Sequence, residues 1–158
     1  MNNAYVVSAL RTAGGRRGGH LSNWHPVDLG AKVIDALLDE IDCSPDVIED
    51  VIFGNVSQIG EQAMNVARNI VLASNLPESV PATSVDRQCG SSQQAIHFAA
   101  QAVMSGIQDV VIAAGYVFFP LHRPSIERQR YPLTTSFPRR PPAQSRTHDV
   151  GADRKQHR

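Results

Sequence analysis

Cys89 stands between a β-type stretch and an alanine-rich helical stretch, in the run Ser84-Val85-Asp86-Arg87-Gln88-Cys89-Gly90-Ser91-Ser92-Gln93-Gln94-Ala95-Ile96. Pro81 to Asp86 leads in as a strand, and Gln93 to Ser105 leads out as a helix. That position puts the thiol at a helix N-terminus, where unpaired backbone N–H groups and the positive dipole end favour thiolate over thiol. Thiolate is the nucleophile that acyl transfer needs. The N–H groups of the same turn, that of Cys89 included, could act as oxyanion donors in such a transfer. A free cysteine is often just a small buried side chain. The strand-turn-helix setting separates Cys89 from that reading.

Other residues with chemical potential carry weaker patterns. Cys43, in Ile41-Asp42-Cys43-Ser44-Pro45, reads as an inert turn residue. Gly14-Gly15-Arg16-Arg17-Gly18-Gly19 matches neither a P-loop nor a dinucleotide fingerprint, because no Gly-Lys-Ser/Thr follows and the glycine spacing is wrong. It reads as a solvated turn. His97 follows Cys89 by two helical turns, rotated by roughly 80° and displaced by some 12 Å along the axis, too far for a direct general base. His20 and His25 flank a loop, and His122, His148 and His157 have no ligand spacing. No two Cys/His residues fall at zinc-motif spacing, so no metal is expected. Arg68 and Arg87 are expected to pair with the acidic body rather than with a ligand's phosphate. No residue can be assigned to cofactor binding.

The elements needed to hold Cys89 in place follow from periodicity. Ala4 to Ala9 and Asp50 to Gly54 read as strands, Ala82 to Asp86 as a third, and Asp109 to Ala114 as a fourth. Val27 to Ile41 is an amphipathic helix behind Pro26; Ala63 to Ser74 is another, stopped by Asn75 and Pro77; Gly106 ends the third. The order is βαβαβαβ, which predicts a mainly parallel sheet with helices on both faces. The third helix is apolar nearly all round, so it should be enclosed. A half-sheet of this size could not enclose it.

A chain of 158 residues fits about one domain, and 42% hydrophobic content supports a core. Net charge is zero, but residues 1–116 hold six Lys/Arg against twelve Asp/Glu, and residues 117–158 hold nine against three. Six of the ten prolines also lie in 117–158, where periodicity is lost, so that segment is expected to be disordered. The predicted division is therefore 1–116 and 117–158. Scattered arginines with few aromatics argue against nucleic-acid binding. Two cysteines make no disulfide framework, and no membrane span or signal peptide is evident, which points to the cytoplasm.

Asp86-Arg87-Gln88-Cys89-Gly90-Ser91-Ser92-Gln93-Gln94-Ala95 resembles the nucleophile segment of thiolases, the acyl-CoA C-acyltransferases. Ser8-Ala9-Leu10-Arg11-Thr12 resembles their opening strand and turn, and Val51-Ile52-Phe53-Gly54-Asn55-Val56 with Asn65-Val66-Ala67-Arg68 their second strand and helix. The wording after Cys89 looks most like bacterial fatty-acid or steroid degradation thiolases. The resemblance runs from about Ala4 to Gly115. It implies a two-domain enzyme with the cysteine helix between two sheets, which would account for the all-round apolar helix. It implies Cys89 as the acyl-thioester nucleophile, coenzyme A as substrate and product, and no tightly bound cofactor.

The resemblance also places an activating histidine and a second cysteine on a second core domain that this sequence does not show. From Tyr116 onward nothing thiolase-like follows, and the composition is what a shifted reading frame through GC-rich coding DNA would give. The expectation is a thiolase-like first half-core, inactive alone, that self-associates or binds an intact thiolase subunit. A ketoacyl-synthase-like condensing enzyme is the competing reading; it shares a cysteine at a helix start.

Overall fold

The computed structural model describes residues 3–16 and 18–115. The predicted tail, with His122, His148 and His157, lies outside the described residues. Helix α1 spans Pro26–Ile41, strand β1 Asp50–Gly54, helix α2 Val66–Ala73, strand β2 Ala82–Val85, helix α3 Ser91–Ser105 and strand β3 Val111–Gly115. Short 3₁₀ turns at Pro45–Val47 and Gly60–Gln62 connect them. The alternation of helix and strand is that of an α/β fold with a parallel sheet, as expected.

Each helix starts where its capping chemistry lies. The His25 Nδ1 accepts a hydrogen bond from the Val27 N–H at 3.3 Å, with Pro26 in the first turn and Asp28 at the positive end. His25 thus serves as a helix cap. The Asn65 Oδ1 accepts from the Arg68 N–H at 3.3 Å and opens α2 three residues later than its apolar pattern predicts. At the end of α3, Gly106 takes the left-handed conformation (φ 76) that closes a helix without a Cβ clash.

The sheet order is β2-β1-β3, all parallel, in the register Val51↔Ala82 and Ile52↔Ala113. Alternation along β1 divides the core in two. Val51 and Phe53 face α1 and α2 and join Ile34, Leu38, Val66, Ile70 and Val71 in one buried cluster. Ile52 faces the other way and packs with Ala95 and Ala99 of α3. The central strand is therefore buried on both faces, as a parallel sheet requires.

The first predicted strand is the exception. Ala4–Ala9 is extended but joins no sheet, and Tyr5, Val6 and Val7 are 79%, 82% and 81% exposed. The sequence pattern reports β-propensity, not the presence of a partner edge. Here β3 lies directly against β1, and the segment is tethered by Ser8 Oγ donating to Glu40 Oε1 at 3.0 Å, at the end of α1.

Candidate active site

Two glycines set the position of the cysteine turn. Gly54 and Gly115 are register partners at the C-terminal ends of β1 and β3. A Cβ on Gly54 would come within 2.7 Å of the Ser91 carbonyl oxygen, and one on Gly115 within 2.7 Å of the Ser92 Cβ. Real side chains do not tolerate that approach, so only glycine lets the first turn of α3 settle over these two strand ends. The crevice beyond the carboxyl ends of parallel strands is where open α/β sheets place their chemistry.

The turn itself runs from Asp86 to Ser91 and is held by side chains at both ends. Asp86 Oδ1 accepts from the Gln88 N–H at 2.8 Å. Ser91 Oγ accepts from the Arg87 N–H at 2.9 Å and donates to the Gln88 carbonyl at 2.6 Å. Backbone bonds from Gly90 N–H to the Arg87 carbonyl (3.1 Å) and from Ser91 N–H to the Gln88 carbonyl (3.0 Å) close it. Gln88 sits at φ 50, a left-handed conformation that costs a residue with a Cβ about 1–3 kcal/mol. That reversal brings Cys89 to the residue just before the α3 cap, Gly90.

Cys89 is a free thiol and solvent-exposed. Its N–H has no hydrogen-bond partner among the described residues. The N-terminal location expected from the sequence is thus found, with the thiol on an outward turn rather than in the core. Cys43 differs: it is half-buried against the larger core cluster, and its Sγ lies 3.5 Å from the Ser44 carbonyl.

Beside the turn lies a half-open depression of about 250 Å³, lined by Arg87, Gly90, Gln93, Gln94 and His97. The Arg87 guanidinium donates to Oε1 of Gln94, a side chain only 7% exposed. His97 lines this depression; Cys89 is not among its lining residues. The expected ion pairs of both arginines are replaced by neutral partners. Arg68 donates to the Val80 and Glu78 carbonyls, each at 2.7 Å, and so pins the loop ahead of β2. The guanidinium has donors enough to hold two such carbonyls at once. Among the described residues no group of three or more His, Cys, Asp or Glu is placed to hold a metal. No described helix is long and apolar enough to cross a membrane.

Residues 4–117 match the family model for the thiolase N-terminal domain. The chain belongs to the thiolase family. It is 57% identical over 115 residues to steroid 3-ketoacyl-CoA thiolase FadA6 of Mycobacterium tuberculosis, covering 73% of this chain and 28% of that protein. It is 44% identical over 119 residues to the beta-ketoadipyl-CoA thiolase of Acinetobacter baylyi, covering 73% and 29%. The crystal structure of the Bacillus anthracis acetyl-CoA acetyltransferase superposes with a TM-score of 0.57 at 36% identity, over 62% of this chain and 25% of that one. The chain thus spans less than a third of the length of these relatives. Their names favour a thiolase over the competing condensing-enzyme reading.

The sequence singles out Cys89 but not the parts that aim it. Gly54, Gly115, Ser91 and Asp86 do that work. A glycine closing each of two adjacent strands, and a serine one turn into a helix behind an aspartate, are signals the pattern carries.

Proposed function

We propose that Cys89 takes the acyl group from an acyl-CoA, as in the 3-ketoacyl-CoA thiolysis or acetyl-CoA condensation carried out by thiolases. In the transfer half-reaction the Cys89 thiolate attacks the thioester carbonyl. The bond from that carbonyl to the CoA sulfur breaks, and a new thioester forms on Cys89 Sγ. The departing CoA thiolate takes up a proton from solvent. The Cys89 N–H donates to the carbonyl oxygen as negative charge develops there. Coenzyme A is substrate and product in this scheme, and no tightly bound cofactor takes part. The cytoplasm is the proposed setting.

One observation supports this reading above the others: an exposed thiol on a left-handed turn, next to a backbone N–H that the described residues leave unpartnered. The family likeness implies that the activating histidine and the second cysteine belong to parts of the fold outside the matched 4–117 span. The chain alone is therefore proposed to accept an acyl group once, slowly, without turnover.

Acetyl-CoA and intact-mass spectrometry test this directly. The expected result is one added acetyl group that maps to Cys89, persists in Cys43→Ala and vanishes in Cys89→Ala. Label on Cys43 or on lysine alone would sink the assignment. Sustained thiolysis lost in Cys89→Ala would refute the claim that the chain is inactive alone.

A second reading draws on the open side of α3. Ile96, Phe98 and Met104 are 52%, 41% and 43% exposed, on a helix that the likeness places between two sheets. This supports a non-catalytic role in which the chain binds an intact thiolase subunit through that flank. Co-purification with a full-length thiolase, lost in the double variant Ile96→Ser/Phe98→Ser, is the outcome this role requires.

A further inference from the structure

We propose that the depression beside the cysteine turn is a binding site for a carboxylate, held by the Arg87 guanidinium and the side-chain amide of Gln94. The inference goes beyond the acyl-transfer reading and stands or falls separately from it, because it rests on side chains that the transfer step does not use.

Gly90, Gln93, Gln94 and His97 line the depression at the spacing of one helix face, and Arg87 joins them from the turn. Gln94 is the unusual member. It is 7% exposed, yet it borders this open space. Its Oε1 accepts from Arg87. A guanidinium only donates, so that bond fixes which end of the amide carries the hydrogens. The Nε2 of Gln94 then has no acceptor among the described residues. A buried amide donor without a partner is an exception that calls for one.

Arg87 has the same surplus. One of its N–H groups goes to Gln94, and the guanidinium makes no ion pair with any described residue. Arg68 is the contrast, since its donors meet two backbone carbonyls at 2.7 Å. Arg87 is therefore a cation steadied by one neutral bond, with its remaining donors unmatched.

The lining decides the class of ligand. It supplies a guanidinium, two side-chain amides and an imidazole, and no Asp or Glu. The N-terminal end of α3 adds partial positive charge. An anion is favoured, and one fixed positive charge balances a monoanion better than a phosphate dianion. Two donors side by side, one from the fork and one from the amide, match the two oxygens of a carboxylate. The volume of about 250 Å³ lies below the roughly 300–1,000 Å³ of pockets that enclose drug-sized ligands, so the site takes a small acid or the acidic end of a larger molecule. A free organic acid and an acidic side chain of another protein present the same group.

The test uses the full 158-residue chain, labelled with nitrogen-15, at constant ionic strength. Acetate represents the free acid, and a blocked Gly-Glu-Gly tripeptide represents the protein side chain. Saturable shifts of the Gln94 side-chain amide and the Arg87 Nε are expected with at least one of them, and the one that binds more tightly identifies the source. Arg87→Met should weaken binding by about tenfold or more, through loss of the charge-assisted bonds. Arg87→Lys, at an exposed position, keeps the charge but loses the fork, and should weaken it by about threefold. Gln94→Met keeps the volume without the amide and should also weaken it. Amide spectra of β1 and α2 that match the wild type show that each variant is folded; should Gln94→Met fail there, Arg87→Lys carries the test. No saturable shift with either probe overturns the proposal. So do equal shifts with chloride, or wild-type affinity in Arg87→Lys, either of which would mean that only a bare charge is read. Acetylation of Cys89 by acetyl-CoA, read by mass, reports separately on the acyl-transfer reading.

Discussion

The two faces of the sheet are built to different depths. On the α1/α2 face, twelve of the described residues are buried in one cluster, nine from two helices and two strands and three, Ile48, Leu76 and Val80, from the connections. On the α3 face, the buried cluster among the described residues is Ile52, Ala95 and Ala99, with Val85, Val111 and Ala113 partly buried against it. Yet α3 is the helix that presents Cys89. The deep face supplies stability, and the shallow face holds the cysteine turn by close backbone approach and hydrogen bonds rather than by apolar bulk. The position of that turn depends on glycines and a serine, which contribute little to apolar burial.

The comparison breaks most visibly on the deep side. Ile70 is fully buried between α1 and the sheet, and Gly30 of α1 leaves room for its side chain. Ile70→Ala should cost about 2–5 kcal/mol, the range for removing a buried aliphatic side chain whose site cannot collapse. Urea unfolding followed by circular dichroism measures it. Acetylation of Cys89 in the fraction that remains folded should be unchanged, since Ile70 lies on the opposite face from α3. A loss below 1 kcal/mol would show that the deep cluster is not the principal support of the fold.

Gly54→Ala probes the join between the faces. The added methyl would meet the Ser91–Ser92 backbone, so α3 must lift from the strand ends. A cost of about 1–3 kcal/mol is expected from overpacking, together with at least a tenfold change in Cys89 alkylation rate. Stability loss without any change in alkylation would mean that the turn keeps its shape independently of the sheet.

How far these features could be read in advance depends on their range. Helices α1 and α3 and strand β1 announce themselves through local periodicity and caps, and their predicted bounds agree to within about two residues with those observed. Cys89 was legible because a strand, a turn and a helix meet in ten residues. The pattern of Ala4–Ala9 predicts a sheet strand that the structure does not pair, because propensity is local and pairing is not. The apolar circumference of α3 also misled in part. Ala95 and Ala99 are buried as the pattern suggests, while Ile96 and Phe98 are not, since nothing described covers that flank. The meeting of Gly54 and Gly115 with Ser92 joins residues far apart in the chain, and only a register can reveal it.

Ser91→Ala sharpens the shallow side. The hydroxyl spans the turn, taking the Arg87 N–H and giving to the Gln88 carbonyl. Its removal leaves the Arg87 N–H without its partner and should cost about 1 kcal/mol. The more telling readout is local. With Gln88 held less firmly at its positive φ, amide exchange at residues 87–90 should rise while exchange across β1 stays slow. Equal acceleration in both places would show that the turn and the deep core open as one unit.

The smallest effect tests the same face from outside. Ile96 is half-exposed on the flank of α3 that points away from Ile52, one residue after the fully buried Ala95. Ile96→Ser removes apolar surface that still meets water, so the dilute chain should keep its unfolding midpoint within about 0.5 kcal/mol. Its solubility should rise, because an exposed apolar patch has been interrupted. The neighbouring substitution Ala95→Ser, in the contact with the sheet, should cost more, because it buries a hydroxyl among apolar side chains. If instead Ile96→Ser proves the more damaging of the pair, then the outer flank of α3 is covered in solution, and the shallow face is deeper than the described residues make it.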